Sequence, residues 1–239
     1  MKLYAYCLTE GIDELTDDLA GVAGATVRLL KLEGFSLLVS DFADEIVPLT
    51  RDNALNHAAV VRSLLDRTTP LPFRFATLVT ESELRSYLAT RRDALQAKLE
   101  LVRGCVEMSV KIIWDREWTE KPVRAAIVEE KPGTAFLSEK RREILGSETR
   151  AAEAKKIASW LEDRVRETVR EARINTNPTD KLMLAVAHLV ERGSVGEYQA
   201  RLKAARSERP ELHFLVSGPW APYSFANIDL EYTSRFGVS

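Results

Sequence analysis

Alternating apolar and polar positions predict several strands in the first half of the chain. Apolar stretches at residues 3–9, 26–32 and 35–41 are separated by Glu-Gly pairs, and the short turn at 33–34 is typical of a β-hairpin. Residues 73–79 predict a further short strand. Apolar residues then recur at every second position, which predicts a half-buried strand: Val106, Met108, Val110, Ile112 and Trp114.

Two helices are predicted between these strands. Residues 52–65 have apolar positions at loose helical spacing, and the Pro-Leu-Pro stretch at 70–72 ends that helix. Residues 81–102 carry leucines on one helical face, and Thr80 with Glu83 predicts a capping box at its start. The order strand, hairpin, helix, strand, helix, strand predicts a ferredoxin-like α+β domain over residues 1–115.

The second half, residues 116–239, predicts an α+β domain built around a long helix. Residues 116–133 form a charged connector with two prolines, and residues 138–173 contain no proline. Apolar residues recur there every seven positions, which indicates a weak, alanine-rich coiled-coil seam. These are Leu137, Ile144, Ala151, Ala158, Val165 and Ala172. A bent helix that packs on a neighbouring element explains the same pattern equally well.

A strand-helix-strand unit is predicted over residues 181–217. Residues 181–191 are almost continuously apolar, as in a strand buried on both faces. Ser194 and Glu197 predict a second capping box, and the alternation of Leu212, Phe214 and Val216 predicts the last strand. Residues 218–239 form a tail whose first part is rich in proline and aromatic residues, and no regular structure is expected there.

Composition and charge narrow the class of protein. The chain has 239 residues, 45% of them hydrophobic, and 34 basic against 36 acidic residues give a net charge of −2. This balance argues against a nucleic-acid partner held by bulk charge. No apolar run approaches the roughly 18–20 residues of a membrane helix, and the N-terminus lacks the apolar stretch of a signal peptide. A soluble, cytoplasmic protein without nucleic-acid or membrane partners is therefore expected.

Residues that could carry catalysis are scattered. The sequence contains no phosphate loop, dinucleotide-binding turn or zinc-protease helix, so no cofactor, no metal and no enzymatic activity are predicted. His57 is expected to tie the first helix to a loop, and His188 to be a satisfied core histidine. Cys7 and Cys105 are too few for a disulfide scaffold and are expected to be buried thiols.

Two stretches supply candidate contact residues. Arg74 stands between two phenylalanines, and it is either paired inside the fold or faces a groove. The stretch GPWAPYSF at 218–225 either clamps its aromatic rings onto a neighbouring domain or displays them to a partner. The candidate partner-binding residues are Arg74, Phe75, Trp220 and Tyr223.

An ordered set of motifs resembles the gas vesicle protein F/L family over nearly the whole chain. The set comprises YAY at 4–6, His57, LPFRFAT at 71–77, residues 106–115, GTAFL at 133–137 and GPWAPYSF at 218–225. Several positions depart from the usual family pattern. Cys7 and Ala76 stand where the family has glycine, Phe73 replaces a methionine, and Ala221 interrupts a Pro-Pro pair.

This resemblance implies both a fold and a role. It implies a ferredoxin-like N-terminal half, and a C-terminal α+β half with long helices. It also implies a non-enzymatic role in gas vesicle assembly, as a minor component or chaperone that contacts the hydrophobic major shell protein. Other gas vesicle accessory proteins are further candidate partners. Two alternatives remain open: a small-molecule-binding regulatory module on a ferredoxin-like fold, and a scaffold that self-associates through the seven-residue series.

Overall fold

The chain is an α+β protein with two antiparallel sheets, which divide between two compact units. The computed structural model describes residues 2–15, 19–113, 135–176, 179, 182–228 and 230, with the backbone alone for 135–147. The first unit comprises Met1–Glu107 with Pro219–Ser239, and the second comprises Met108–Gly218.

Nine strands and six helices lie within these described residues. The strands are β1 (Lys2–Thr9), β2 (Val27–Leu32), β3 (Phe35–Phe42), β4 (Leu71–Pro72), β5 (Leu78–Val79), β6 (Cys105–Ile113), β7 (Val169–Asn175), β8 (Leu182–Glu191) and β9 (His213–Trp220). The helices are α1 (Arg51–Arg62), α2 (Glu81–Thr90), α3 (Arg92–Val102), α4 (Ala135–Val165), α5 (Val195–Glu208) and α6 (Tyr223–Ala226).

The first sheet has β1 at its centre. The order is β2-β3-β1-β4, and β5 also pairs with β1, so both short strands lie along one edge of it. The predicted hairpin of β2 and β3 is confirmed as an antiparallel pair. Its two turn residues, Glu33 and Gly34, have φ values of 51° and 82°, as a tight turn that follows the twist of the strands requires.

The helices of the first unit pack against this sheet. The predicted capping box of α2 is confirmed, because the Thr80 N–H donates to Glu83 at 2.7 Å and the Glu83 N–H donates to Thr80 Oγ1 at 3.2 Å. The single helix predicted over residues 81–102 is instead two helices, since Arg91 leaves helical geometry at φ −114° and ψ 17°. Lys98 of α3 donates to the backbone carbonyls of Ala226 and Asn227, and so holds the C-terminal segment.

The strand predicted over residues 73–79 is wrong at its centre. Residues 73–77 form a turn between β4 and β5, in which the Thr77 N–H donates to the Arg74 carbonyl at 3.2 Å. Ala76 has a φ of 67°, which no strand residue adopts. Arg74 therefore lies in a turn and not within a strand.

The ferredoxin-like arrangement predicted for residues 1–115 is not observed. β6, which that prediction used as the last strand of the first domain, belongs to the second sheet, whose order is β7-β8-β6-β9. The half-buried alternation predicted for this strand is confirmed, since Val106, Met108, Val110 and Ile112 are buried while Ser109, Lys111 and Ile113 are partly or fully exposed. Glu107, which the alternation assigns to the polar face, is buried as well. The succession β-α-β-β-α-β occurs in the elements β6, α4, β7, β8, α5 and β9.

The helix predicted over residues 138–173 ends at Val165. A short 3-10 turn follows, the Thr168 hydroxyl donates to the Val165 carbonyl at 2.8 Å, and β7 begins at Val169. Ala172 therefore lies on a strand, and the seven-residue series does not form one continuous helical seam. The buried face of α4 is part of the core of the second unit, together with β8 and α5, and includes Ala154, Ile157 and Leu161.

Three further predictions concern the last third of the chain. The buried strand at 181–191 is confirmed as β8. The second capping box is wrong, because the Ser194 side chain makes no capping hydrogen bond; a 3-10 turn at 192–194 runs directly into α5. The tail at 218–239 is also different from the prediction: β9 extends to Trp220, α6 follows, and residues from Pro219 on belong to the first unit. The connector at 116–133 lies outside the described residues.

Candidate functional site

The four candidate contact residues all lie in the first unit. Arg74 is exposed, and Phe75 is half-buried in the turn between β4 and β5. Trp220 at the end of β9 is 42% exposed, and Tyr223 at the start of α6 is 41% exposed. The structure brings Phe75 and Tyr223 to the same imidazole, that of His57, with ring centroids 5.9 and 6.4 Å from it.

His57 is the centre of a group of rings that we call the histidine cluster. The helix α1 places it against β1, where two tyrosines two residues apart point to the same face of the sheet. Tyr4 and Tyr6 have their ring centroids 5.8 and 5.7 Å from the imidazole and 4.7 Å from each other. The members of the cluster are Tyr4, Tyr6, Phe42, His57, Phe75 and Tyr223.

The hydrogen bonds of Tyr4 determine which nitrogen of His57 carries the proton. The Tyr4 hydroxyl accepts from the Ala76 N–H at 3.1 Å and lies 2.9 Å from His57 Nδ1. Its own O–H is then free to donate to Nδ1, which must be unprotonated to accept. When the Tyr4 hydroxyl donates in this way, the proton of the neutral imidazole is on the buried Nε2.

Burial keeps this histidine neutral. His57 is 3% exposed, and burial lowers its pKa to about 4 from an ordinary value of 6.5, with a smaller opposite contribution from the Phe73 backbone. An imidazole with such a pKa stays neutral near pH 7, and this pKa is far from the value that suits a general acid or base at that pH. The expectation that His57 is structural agrees with this geometry, since it joins α1 to β1 and to the turn after β4.

Tyr6 connects the cluster to the loop before β2. Its hydroxyl accepts from the Val22 N–H at 2.9 Å and lies 3.0 Å from Ser40 Oγ, to which it can donate. The same loop is held to α1, because the Ala23 N–H donates to the Asn53 side chain at 3.0 Å. Hydrogen bonds therefore tie the cluster and α1 to the same loop.

A buried carboxylate, Glu107, fixes the position of α6. Its side-chain oxygens accept from the Ser224 N–H and hydroxyl, both at 2.8 Å, and burial raises its pKa. Tyr223 is thereby placed, because it precedes Ser224 directly. Sequence reasoning missed this residue, since the alternation of β6 assigns Glu107 to a polar face. Its one signal was its place in the motif at 106–115.

The two cysteines are the remaining reactive side chains that the sequence analysis considered. Cys7 and Cys105 are buried thiols and neither forms a disulfide, as expected, and burial raises the pKa of the Cys7 thiol to about 12. In the described parts of the chain, no three His, Cys, Asp or Glu side chains lie close enough together to hold a metal ion. The helices that the structure describes include none with the length and hydropathy to cross a membrane.

Comparison with known proteins gives the family. The family model for gas vesicle synthesis protein GvpL/GvpF matches residues 2–227. The chain belongs to this family. Gas vesicle protein L of a Streptomyces species is 29% identical, over 98% of this chain and 97% of its own. Gas vesicle protein L2 of Halobacterium salinarum is 27% identical, over 93% and 90%. The crystal structure of GvpF from Anabaena superimposes with a TM-score of 0.77 at 21% identity, covering 95% of this chain and 99% of that one.

As a member of the GvpL/GvpF family, this chain is a component involved in gas vesicle formation. Ala76 has an unusual backbone conformation for a residue that carries a Cβ. Ala76 is the third residue of the turn that starts at Arg74, and a φ of 67° at that position favours glycine. This chain therefore carries local strain beside Phe75.

Replacing Ala76 with glycine is expected to stabilise the first unit by about 1 kcal/mol, because a left-handed backbone costs alanine about 1–2 kcal/mol more than glycine. The hydrogen bond from the residue-76 N–H to Tyr4 does not involve the side chain and is retained. Urea unfolding of both proteins measures the difference. Gly196→Ala on α5 is the control for an effect of exchanging alanine and glycine elsewhere in the chain. A destabilised Ala76→Gly variant would contradict the backbone strain assigned to Ala76.

Proposed function

We propose that this protein is a non-enzymatic accessory factor that binds the hydrophobic major shell protein during gas vesicle assembly, as a minor component or chaperone at the vesicle. Its family supports this role, because the chain is a component of gas vesicle formation. The apolar surface of a shell subunit must be covered until the subunit is incorporated into the vesicle. An accessory protein covers this surface by binding to it, and no catalysis is needed.

One observation carries the proposal: half-exposed aromatic rings rest on a rigid, buried base. Phe75 and Tyr223 come from a turn and a short helix far apart in sequence, and both contact His57. We call Arg74, Phe75, Trp220 and Tyr223 the aromatic surface. Aromatic and arginine side chains are the residue types that dominate binding energy at protein interfaces.

The buried network gives this surface a fixed shape before any partner arrives. Glu107 holds the start of α6 through two hydrogen bonds, and the Tyr4 hydroxyl holds the turn through the Ala76 N–H. Side chains that are already ordered lose little conformational entropy on binding. The proposal therefore assigns Glu107 and His57 a positioning role and the aromatic surface the contact with the shell protein.

The test is co-expression with the major shell protein of the same genome, followed by affinity purification. We expect the wild type to retain the shell protein in a soluble complex. We expect Arg74→Ala and Trp220→Ala each to weaken retention by about tenfold or more, as for residues central to an interface. Leu49→Ala is the matched control, since Leu49 lies in the same unit and is 77% exposed.

Melting temperatures separate contact from folding. Weaker retention with an unchanged melting temperature assigns the residue to the interface. Equal retention by wild type, Arg74→Ala and Trp220→Ala would contradict the aromatic surface. Failure of the wild type to retain folded or detergent-solubilised shell protein would contradict the proposed partner itself.

A further inference from the structure

The two edges of the second sheet differ in how they are protected. β7, at one edge, has the sequence VREARIN and carries Arg170, Glu171 and Arg173. β9, at the other end of the strand order in the described part of the chain, reads HFLVSGPW and has no Asp, Glu, Lys or Arg. Charged side chains on an edge strand prevent pairing with other chains. β9 lacks this protection, and its one proline lies near the far end.

An open groove of about 640 Å³ runs beside the first half of β9. Consecutive residues Leu212 to Leu215 line it, although neighbouring residues of a strand point to opposite faces. Ile113, at the end of the neighbouring β6, also lines the groove, so the groove lies at the start of β9 and meets residues of both faces of the strand there. Leu215 is 55% exposed, and Val216 is 37% exposed, so the edge is also apolar.

The opposite wall of the groove is basic. Lys203 and Arg206 lie three residues apart on α5, so their side chains are on the same side of the helix, and both are exposed. The residues that line the groove include no Asp or Glu. Neither cation makes an ion pair within the described residues, and the nearby acids Glu208 and Glu211 are paired with Arg164 and Arg209.

From this placement we propose that the groove binds an extended segment of a partner protein in which apolar and acidic residues alternate. The segment adds a strand to β9, its apolar side chains contact Leu215, and its carboxylates reach Lys203 and Arg206. Backbone hydrogen bonds supply affinity in such strand addition, and the flanking side chains supply selectivity. The β9 strand of a second copy has no acidic residue, so it offers no charge complementary to these cations.

The probe is a short fluorescent peptide in which valine alternates with glutamate, and its binding to the full chain is followed by fluorescence anisotropy. We expect the double variant Lys203→Glu/Arg206→Glu to weaken binding by about tenfold or more. The same variant is expected to bind the corresponding valine-lysine peptide better than the wild type does. Lys155→Glu/Lys156→Glu on α4 makes the same charge change at exposed positions of the same unit and is expected to change neither affinity.

Two further measurements test strand addition itself. A peptide of the same charge with prolines in place of the valines lacks the backbone N–H donor at every second residue and is disfavoured as a strand, and we expect it to bind at least about tenfold more weakly. Equal binding of this peptide, or equal effects of the α5 and α4 variants, would overturn the proposal. A concentration-dependent dimer that Leu215→Glu abolishes would assign the edge to a second copy instead. This proposal does not depend on the role of the aromatic surface, because it concerns a different unit and needs no shell protein.

Discussion

Gly21→Ala is expected to destabilise the first unit by about 3 kcal/mol. An added Cβ would lie 2.0 Å from the Tyr6 hydroxyl oxygen and 2.8 Å from the carbonyl oxygen of Ala25, both far inside van der Waals contact. The backbone of Gly21 has φ −90°, which alanine adopts without strain. The loss of stability is therefore steric, and its main cause is the clash between the added Cβ and the Tyr6 hydroxyl.

The surroundings of Gly21 cannot easily move away. Tyr6 is fully buried, and its hydroxyl is held by Ser40 and by the Val22 N–H. The Gly21 carbonyl accepts from the side chain of Asn56 on α1, and the Gly21 N–H donates to Ala25 at 2.8 Å. A shift of either side would break hydrogen bonds of buried groups, each of which costs roughly 1–3 kcal/mol when left unsatisfied.

A double-mutant cycle with Tyr6→Phe checks this cause. Removing the hydroxyl removes the closest clash, although the ring carbon that carried it still lies 3.0 Å from the added Cβ. We expect Gly21→Ala to cost clearly less in the Tyr6→Phe background than in the wild type, as measured by urea unfolding. Gly196→Ala on α5 meets no atom within 4 Å and is the control that should not destabilise. An unchanged stability of Gly21→Ala would contradict the packing described for Tyr6.

Features that depend on neighbouring residues could be predicted from the sequence. The turn at Glu33-Gly34 needs two residues with positive φ, and the capping box of α2 needs Thr80 and Glu83 three positions apart. Both interactions close within a few residues, so the chain order contains all the information. The strands β1, β2, β3 and β8 follow from apolar patterns of the same local kind.

Features that depend on distant partners could not be predicted in this way. The alternation in β6 fits a strand at the edge of the first sheet as well as a strand in the interior of the second. Only the pairing of β6 with β8 and β9 shows that it belongs to the second sheet. The helix α4 ends at Val165 although the seven-residue series continues to Ala172, because β7 pairs with β8. Periodicity measures which face is apolar, not which element covers it.

The candidate site shows the same division. The aromatic candidates could be selected from the sequence, because the segments that contain them have more aromatic residues than is usual for a loop. The meeting of Phe75 and Tyr223 at His57 could not, since Tyr223 is more than a hundred positions away from the other two residues. Glu107 is the clearest omission: a buried carboxylate is acceptable only with hydrogen-bond donors, and its donors lie on Ser224 at the other end of the chain.

Acidification from pH 7 to pH 5 is expected to destabilise each unit by about 2 kcal/mol through one buried histidine. His57 in the first unit and His188 in the second both have their pKa lowered by burial to about 4, against 6.5 when exposed. The unfolded chain therefore binds protons that the folded chain does not. The stabilisation is complete above pH 6.5 and is lost as the pH falls toward 4, where the full loss is about 3 kcal/mol per histidine.

Nδ1 of each histidine lies within hydrogen-bond distance of a buried tyrosine hydroxyl. A hydroxyl that donates to Nδ1 favours the neutral form of the imidazole. His188 Nδ1 lies 2.8 Å from the Tyr198 hydroxyl, as His57 Nδ1 lies 2.9 Å from that of Tyr4. Burial raises the pKa of both tyrosines, so neither titrates in this range. Within the described residues, Nε2 of each imidazole has no hydrogen-bond partner of good geometry, so the positive charge of a protonated imidazole would be buried without compensation at that nitrogen.

The measurement is the free energy of unfolding at pH 7, 6 and 5 for the wild type and for His57→Asn and His188→Asn. Asparagine offers an acceptor near the position of Nδ1 and does not titrate, so each variant is expected to lose its share of the pH dependence even where its stability at pH 7 is lower. Carboxylates with lowered pKa, such as Glu83, titrate below this window, and Glu107, whose pKa is raised, acts in the opposite direction. Because only the slope with pH is compared, a general loss of packing cannot imitate the result. An unchanged slope in both variants would show that these imidazoles are already accessible to protons in the folded chain.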